Sequence, residues 1–188
     1  MYDLSGLGPG EIRSVIMEDF KYLKNTYHFT DSPFYVHHKG KPLVTIWGVG
    51  FNDNRKYSLT ECAELLDFLK NGEYGGHSVM LGVPRYWREG GKDAVTGTDL
   101  KLLHNIILKA DVVNPWAVGR YATIEQARTD ARLEVKADLA WCNQNKLALM
   151  PVIFPGFSWH NLQVSGENPD HPGPYNQIPR KQNGQYFL

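Results

Sequence analysis

Acid–base hydrolysis needs paired carboxylates, nucleophilic catalysis a Ser or Cys beside a base, and metal catalysis a cluster of His, Cys and acids. Five carboxylates fall where a strand end or loop would present them: Asp3, Asp53, Glu89, Asp93 and Glu167. Asp53, within Asn52-Asp53-Asn54-Arg55, and Asp93, after Gly90-Gly91, have the surroundings of turn formers. Asp3, beside a strand-like stub, is the least dismissible, with structural hydrogen bonding as its more ordinary role. No two of the five make an evident acid/base dyad. His37-His38 lies next to Lys39-Gly40-Lys41; adjacent side chains point to different sides, which favours a solvated turn over metal binding. Cys62 and Cys142, 80 residues apart and each in a helical pattern, read as buried thiols, with neither a disulfide framework nor a zinc knuckle. There is no His-Glu-x-x-His, no Asp-rich calcium loop and no Gly-x-Ser-x-Gly elbow. Ser158 in Gly156-Phe157-Ser158-Trp159-His160 is a partial likeness to the elbow, with Trp in place of the small residue.

The aromatic residues are more informative. Trp47 ends one apolar run, and Pro84-Arg85-Tyr86-Trp87-Arg88-Glu89 follows the next. Trp116-Ala117-Val118-Gly119-Arg120-Tyr121 follows the third, and Pro155-Gly156-Phe157-Ser158-Trp159-His160-Asn161 the fourth. Of the five tryptophans, only Trp141 lies in a helical pattern instead. Sugar rings expose C–H faces that stack on aromatic planes, while their hydroxyls need Arg, His, Asn and carboxylate partners. An aromatic and polar rim at strand ends suits a carbohydrate; any single tryptophan could equally be ordinary core.

Such a rim must be held by regular elements. Four apolar runs begin near Leu43, Val79, Val112 and Leu149, in steps of 36, 33 and 37 residues. Each is short and rich in β-branched residues, as in strands buried on both faces of a parallel sheet. Met1 to Leu4 is a stub of one more. Between them lie helical faces: Ile12, Ile16, Phe20 and Leu23; Leu59, Ala63, Leu66 and Leu69; Leu100, Leu103, Ile106 and Ile107; and Ala127, Ala131, Val135, Leu139 and Cys142. Ser58-Leu59-Thr60-Glu61 has capping-box spacing, and Thr123-Ile124-Glu125-Gln126 opens the last helix. Strands alternating with helices mean repeated βα units, hence an α/β chain. No nucleotide-binding glycine motif follows any strand, and long aromatic loops after strands suit the catalytic face of a (β/α)8 barrel. A full barrel takes roughly 250 residues. This chain of 188 has about five strand-like units, so the expectation is a single domain over 1–188 forming an incomplete barrel.

Composition narrows the partners. With 20 Lys+Arg against 20 Asp+Glu, the formal charge is zero, which argues against a nucleic-acid surface. A hydrophobic content of 42% supports an ordered core. No run approaches the roughly 18 apolar residues of a membrane span, so a soluble chain is expected. The opening Met1-Tyr2-Asp3-Leu4-Ser5-Gly6 lacks the features of a signal peptide.

Four segments, Gly82-Val83-Pro84-Arg85-Tyr86-Trp87-Arg88, Asn114-Pro115-Trp116 through Tyr121, Pro151-Val152-Ile153-Phe154 through Asn161, and Ile178-Pro179-Arg180, occur in this order. Together the chain resembles the glycoside hydrolase family 71/99-like proteins, and more remotely the family 99 endo-α-1,2-mannosidases. The resemblance implies a (β/α)8 barrel that acts on α-linked glycosides outside the cytoplasm without a metal or other cofactor. By motif position it implies that Arg180, followed by Gly184 and Tyr186, faces the sugar, with Trp116, Arg120, Trp159 and His160 as further contacts. A loop-stabilising guanidinium is the plainer role for Arg180. The family's acidic, aromatic catalytic motif has no counterpart before Leu188. The isolated chain is therefore expected to lack turnover even if the longer protein is a glycosidase, and its open barrel edges to favour self-association. The rival reading is a non-catalytic carbohydrate-binding protein.

Overall fold

In a computed structural model, residues 1–121, 123–154, 158–167 and 170 are described, Trp159, Gly166 and Glu167 by their backbone alone. Among the described residues six strands, β1 (Tyr2–Asp3), β2 (His37–His38), β3 (Lys41–Trp47), β4 (Ser78–Pro84), β5 (Val112–Trp116) and β6 (Ala148–Leu149), combine with intervening helices to give an α/β fold. Five lie side by side in chain order, β1-β3-β4-β5-β6. The pairs β1–β3, β3–β4 and β5–β6 are parallel. Among these strands the order never reverses, so there is no switch point of the kind that opens a dinucleotide crevice in a doubly wound sheet.

Sequence explains where the sheet is deepest and where it thins. Every residue of β4, Ser-Val-Met-Leu-Gly-Val-Pro, is buried, as a strand covered on both faces requires. The apolar run from Leu147 to Phe154 promised a strand as long, but only Ala148 and Leu149 pair. Met150 still donates its N–H to the Val113 carbonyl at 2.8 Å. Pro151 has no N–H to continue the ladder, so pairing stops there. The expected solvated turn at His37-His38 is instead a short antiparallel strand on β3. The turn itself is Lys39-Gly40, with φ of 51° and 76°, the left-handed pair that a two-residue hairpin needs. His38 Nδ1 lies 2.7 Å from Ser78 Oγ, pinning the hairpin to the start of β4.

The helices are α1 (Glu18–Tyr27), α2 (Leu59–Lys70), α3 (Gly97–Lys109), α4 (Ile124–Asp130), α5 (Lys136–Gln144) and α6 (Trp159–Leu162). Wide π-type turns over Ile12–Met17, Ala131–Val135 and Gln163–Glu167 adjoin α1, α4 and α6. The capping box is present: Ser58 Oγ accepts from the Glu61 N–H at 3.2 Å, and Glu61 Oε2 from the Ser58 N–H at 2.8 Å. Glu61 Oε1 also accepts from the Gly10 N–H at 2.7 Å, tying the cap to the loop before the first helix. The buried stripe of α2 is Cys62, Leu65, Leu66 and Leu69, the i, i+3, i+4, i+7 set; Leu59 and Ala63 of the expected face are only half-buried. In α3, Leu103, Ile106 and Ile107 are buried as expected.

The chain divides into two compact units, Met1–Pro115 with Cys142–Met150, and Trp116–Trp141 with Pro151–Leu188. The first holds almost the whole sheet. The expected stripe Ala127, Ala131, Val135, Leu139 and Cys142 holds only in part: Cys142 is buried and Ala127 and Val135 are half-buried, but Ala131 and Leu139 are exposed and Asp138 is buried. The wide turn Ala131–Val135 breaks the 3.6-residue phase on which that stripe was drawn. No described helix is long and apolar enough to cross a membrane.

Candidate functional site

One site in the first unit lies where β3 ends. Trp47, its last residue, stands opposite Gly82 of β4. A Cβ at Gly82 would come within 2.2 Å of Trp47 Cδ1, so the missing methyl is what lets the indole lie against the β4 backbone. The chain then leaves the sheet through Gly48, φ 111°, with the Gly48 and Val49 N–H groups both donating to the Gly82 carbonyl, at 3.0 and 3.1 Å.

This exit loop wraps around Arg55. Its Nε and Nη2 donate to Asp53 Oδ1 and Oδ2 at 2.7 and 2.8 Å, a bidentate pair, and its Nη1 to Ser5 Oγ at 2.9 Å and Tyr57 Oη at 3.0 Å. Its guanidinium carbon lies 5.3, 5.0 and 6.0 Å from the ring centroids of Trp47, Phe51 and Tyr57. Burial works against the charge, but the Asp53 carboxylate and the Tyr57 oxygen outweigh it and hold the Arg55 pKa above its ordinary value. Burial pushes the Tyr57 phenol up to about 12, opposed in part by Arg55. Tyr57 is therefore a neutral donor, and its hydroxyl donates to the Gly48 carbonyl at 2.7 Å. Beside this cluster is a cavity of about 310 Å³, with Phe51 and Tyr57 as aromatic lining and Asn52, Asn54, Thr60 and Asp99 as polar lining. Such a mixture can grip a small hydroxylated ring, with apolar contact on one side and hydrogen bonds on the other.

The loop after β4 is built just as firmly. Arg85 is 2% exposed and Trp87 fully buried. Asp93 accepts the Arg85 N–H at 3.0 Å and the Tyr86 N–H at 3.2 Å, while its carbonyl accepts the Asn52 N–H at 2.9 Å. Asp93 is thus the turn former that its neighbours suggested, and it joins the β4 loop to the β3 loop. Lys92 Nζ sits 3.6 Å from the Tyr86 ring centroid. The other candidate carboxylates are similarly engaged. Asp3 accepts the Ser5 N–H at 2.8 Å, Asp53 holds Arg55, and Glu89 is paired with Arg88. The Glu167 side chain lies outside the described residues.

Of the residues singled out by resemblance, the described ones fall in the second unit. Trp116 is half-buried at the end of β5, Arg120 is exposed in the turn that follows, and His160 is buried in α6. The Trp159 side chain, Arg180 and Tyr186 lie outside the described residues. Among the described residues Tyr121 stacks on Phe154 across two loops of this unit, at 4.5 Å and 20°. Phe51, Arg55 and Tyr57 went unselected in the sequence. Their signal was available: an aromatic, an Arg and a Tyr at spacings of four and two, shortly after a strand that ends in Trp47 and leaves through Gly48-Val49-Gly50. Among the described residues no group of three His, Cys, Asp or Glu could hold a metal ion.

Compared with protein-family models, curated proteins and solved structures, the chain matches none. The site's own residues therefore carry its functional reading.

Proposed function

We propose that the chain is part of a glycoside-hydrolase-like (β/α)8 barrel whose strand-end rim binds an α-linked glycan. The observation that carries this reading is the cavity at the end of β3, where Phe51 and Tyr57 share the lining with Asn52, Asn54, Thr60 and Asp99 beside a pinned Arg55. Parallel strands laid down in chain order support the barrel, since that is how a singly wound βα repeat advances. Trp116, Arg120, Trp159, His160, Arg180 and Tyr186 are proposed contacts from the resemblance, in a protein of extracytoplasmic glycan breakdown.

A second reading, binding without hydrolysis, is favoured by the local engagement of Asp3, Asp53, Glu89 and Asp93. A carboxylic acid that protonates a leaving oxygen has to be free to meet it, and becomes the carboxylate as the proton leaves. Calorimetric titration of the 188-residue chain with α-linked oligosaccharides tests the shared claim. Saturable binding, weakened several-fold in Asn54→Ala and in Arg180→Ala with unchanged melting, is expected. No binding to any of them overturns it. Release of reducing sugar by the chain alone would remove the binding-only reading.

A further inference from the structure

The second unit contains a larger cavity that the glycan reading does not use, a groove of about 740 Å³. Ile124, Ala127 and Val135 line it from the helical side and Pro151, Val152 and Ile153 from the segment after β6. Ile153 is 60% exposed, a large apolar residue left open to water along that segment. Arg128 and Arg132, one helical step of four apart, also line the groove and are exposed. Among the described residues neither guanidinium has a hydrogen bond or an ion pair. Two forked donors beside an apolar floor are complementary to a planar anion carried on an apolar body.

We propose that this groove binds a small monocarboxylate with an apolar tail. A carboxylate matches the guanidinium fork in shape as well as charge, and the tail would cover Val152 and Ile153. Glu125 and Asp130 line the same groove and balance its formal charge, so a polyanion would meet repulsion where a single anionic head does not. The groove lies at the mouth of two βα connections, those after β5 and β6, where small ligands commonly bind in α/β proteins. The inference stands whether or not the first unit binds a sugar.

The test is titration of the full chain with octanoate, octanol and acetate at low salt, followed by calorimetry or ligand-observed NMR. Octanoate is expected to bind saturably and at least about tenfold more tightly than either partial probe, because it alone offers both head and tail. Arg128→Gln and Arg132→Gln should each weaken octanoate about tenfold, as loss of a charged hydrogen bond does, and leave octanol unchanged. Both side chains are exposed, so the variants should melt like the parent chain. Equal affinity for octanol, octanoate binding that survives the double variant, or no saturable octanoate binding at all would overturn the proposal.

Discussion

The two units place similar helices under different rules. In the first, Leu65, Leu66, Leu69, Leu103 and Ile107 are wholly buried, and α2 starts from a reciprocal cap. In the second, Leu133, Leu139 and Ile153 are 64%, 47% and 60% exposed, while Asp138 is 1% exposed. The difference from the uniform helices α2 and α3 is one of phase. A uniform helix keeps its apolar stripe on one side for its whole length, whereas α4 and α5 meet across a wide turn that rotates the face. The first unit thus offers a rigid frame for a site, and the second leaves apolar surface open beside its groove.

The contrast can be broken most directly in the cores. Leu66→Ala in the first unit should cost about 3 kcal/mol in urea unfolding, a buried leucine replaced by a cavity. Leu139→Ala in the second should stay within about 0.5 kcal/mol. Equal losses would mean that both units are packed alike. Next comes the ion pair at the starts of β4 and β5, Lys70 Nζ to Asp111 Oδ2 at 2.5 Å, whose carboxylate oxygen also accepts the Val79 N–H at 2.8 Å. Asp111→Asn should cost about 2 kcal/mol, as a charged and half-buried hydrogen bond is lost.

Acid sharpens the same point. Burial alone would raise the Asp111 carboxyl, but Lys70, the Val79 N–H and the nearby His38 outweigh it and hold it below the ordinary range. A carboxyl lowered by folding stabilises above its unfolded pKa of about 3.9, and that contribution disappears as pH falls through the lower folded value. Burial of His77 lowers its pKa, which its bonds to the Leu69 and Tyr74 backbone only partly offset. Its contribution is therefore present above an unfolded pKa of about 6.5 and drains away as pH falls through the folded value. The melting temperature should fall in two stages on acidification, and His77→Phe should flatten the upper one. A single acid step in both proteins would sink this assignment.

Smaller effects follow at the caps. Ser58→Ala should cost about 1 kcal/mol, and Thr123→Ala less, since α4, which the Thr123 hydroxyl caps by accepting the Gln126 N–H at 3.1 Å, is the shorter helix. Thermal melts of the pair give the ranking, and a larger loss at Thr123 would reverse it. The least change is expected at Cys62, whose thiol burial pushes up to about 12. Iodoacetamide at pH 8 should leave it unmodified in the native chain and label it at once in urea.

How much of this was legible in the residues varies with how local the cause is. Ser78 to Val83 was readable as a strand because its apolar character is continuous, and Ser58 to Glu61 because a cap is settled within four residues. The β2 hairpin was not, because Lys39-Gly40 is a weak turn signal and the strand it closes is two residues long. The Arg55 cluster escaped for a different reason. It depends on a glycine in another strand, on the direction Gly48 gives the chain, and on Ser5, 50 residues away. The displaced stripe of α4 and α5 needed knowledge of a wide turn that no residue pattern announced.

The succession of strands has a consequence for how the chain is made. Each of β3, β4, β5 and β6 settles beside the path strand that immediately precedes it in synthesis, so a growing chain always finds its template already extruded. Pairings of this kind keep loop-closure distances to one βα unit at a time, which favours assembly from the amino end during translation over a search by the finished chain. A ribosome stalled after Met150, with β4 well clear of the exit tunnel, should therefore already display β3 paired with β4, and a protease added to it should spare that pair.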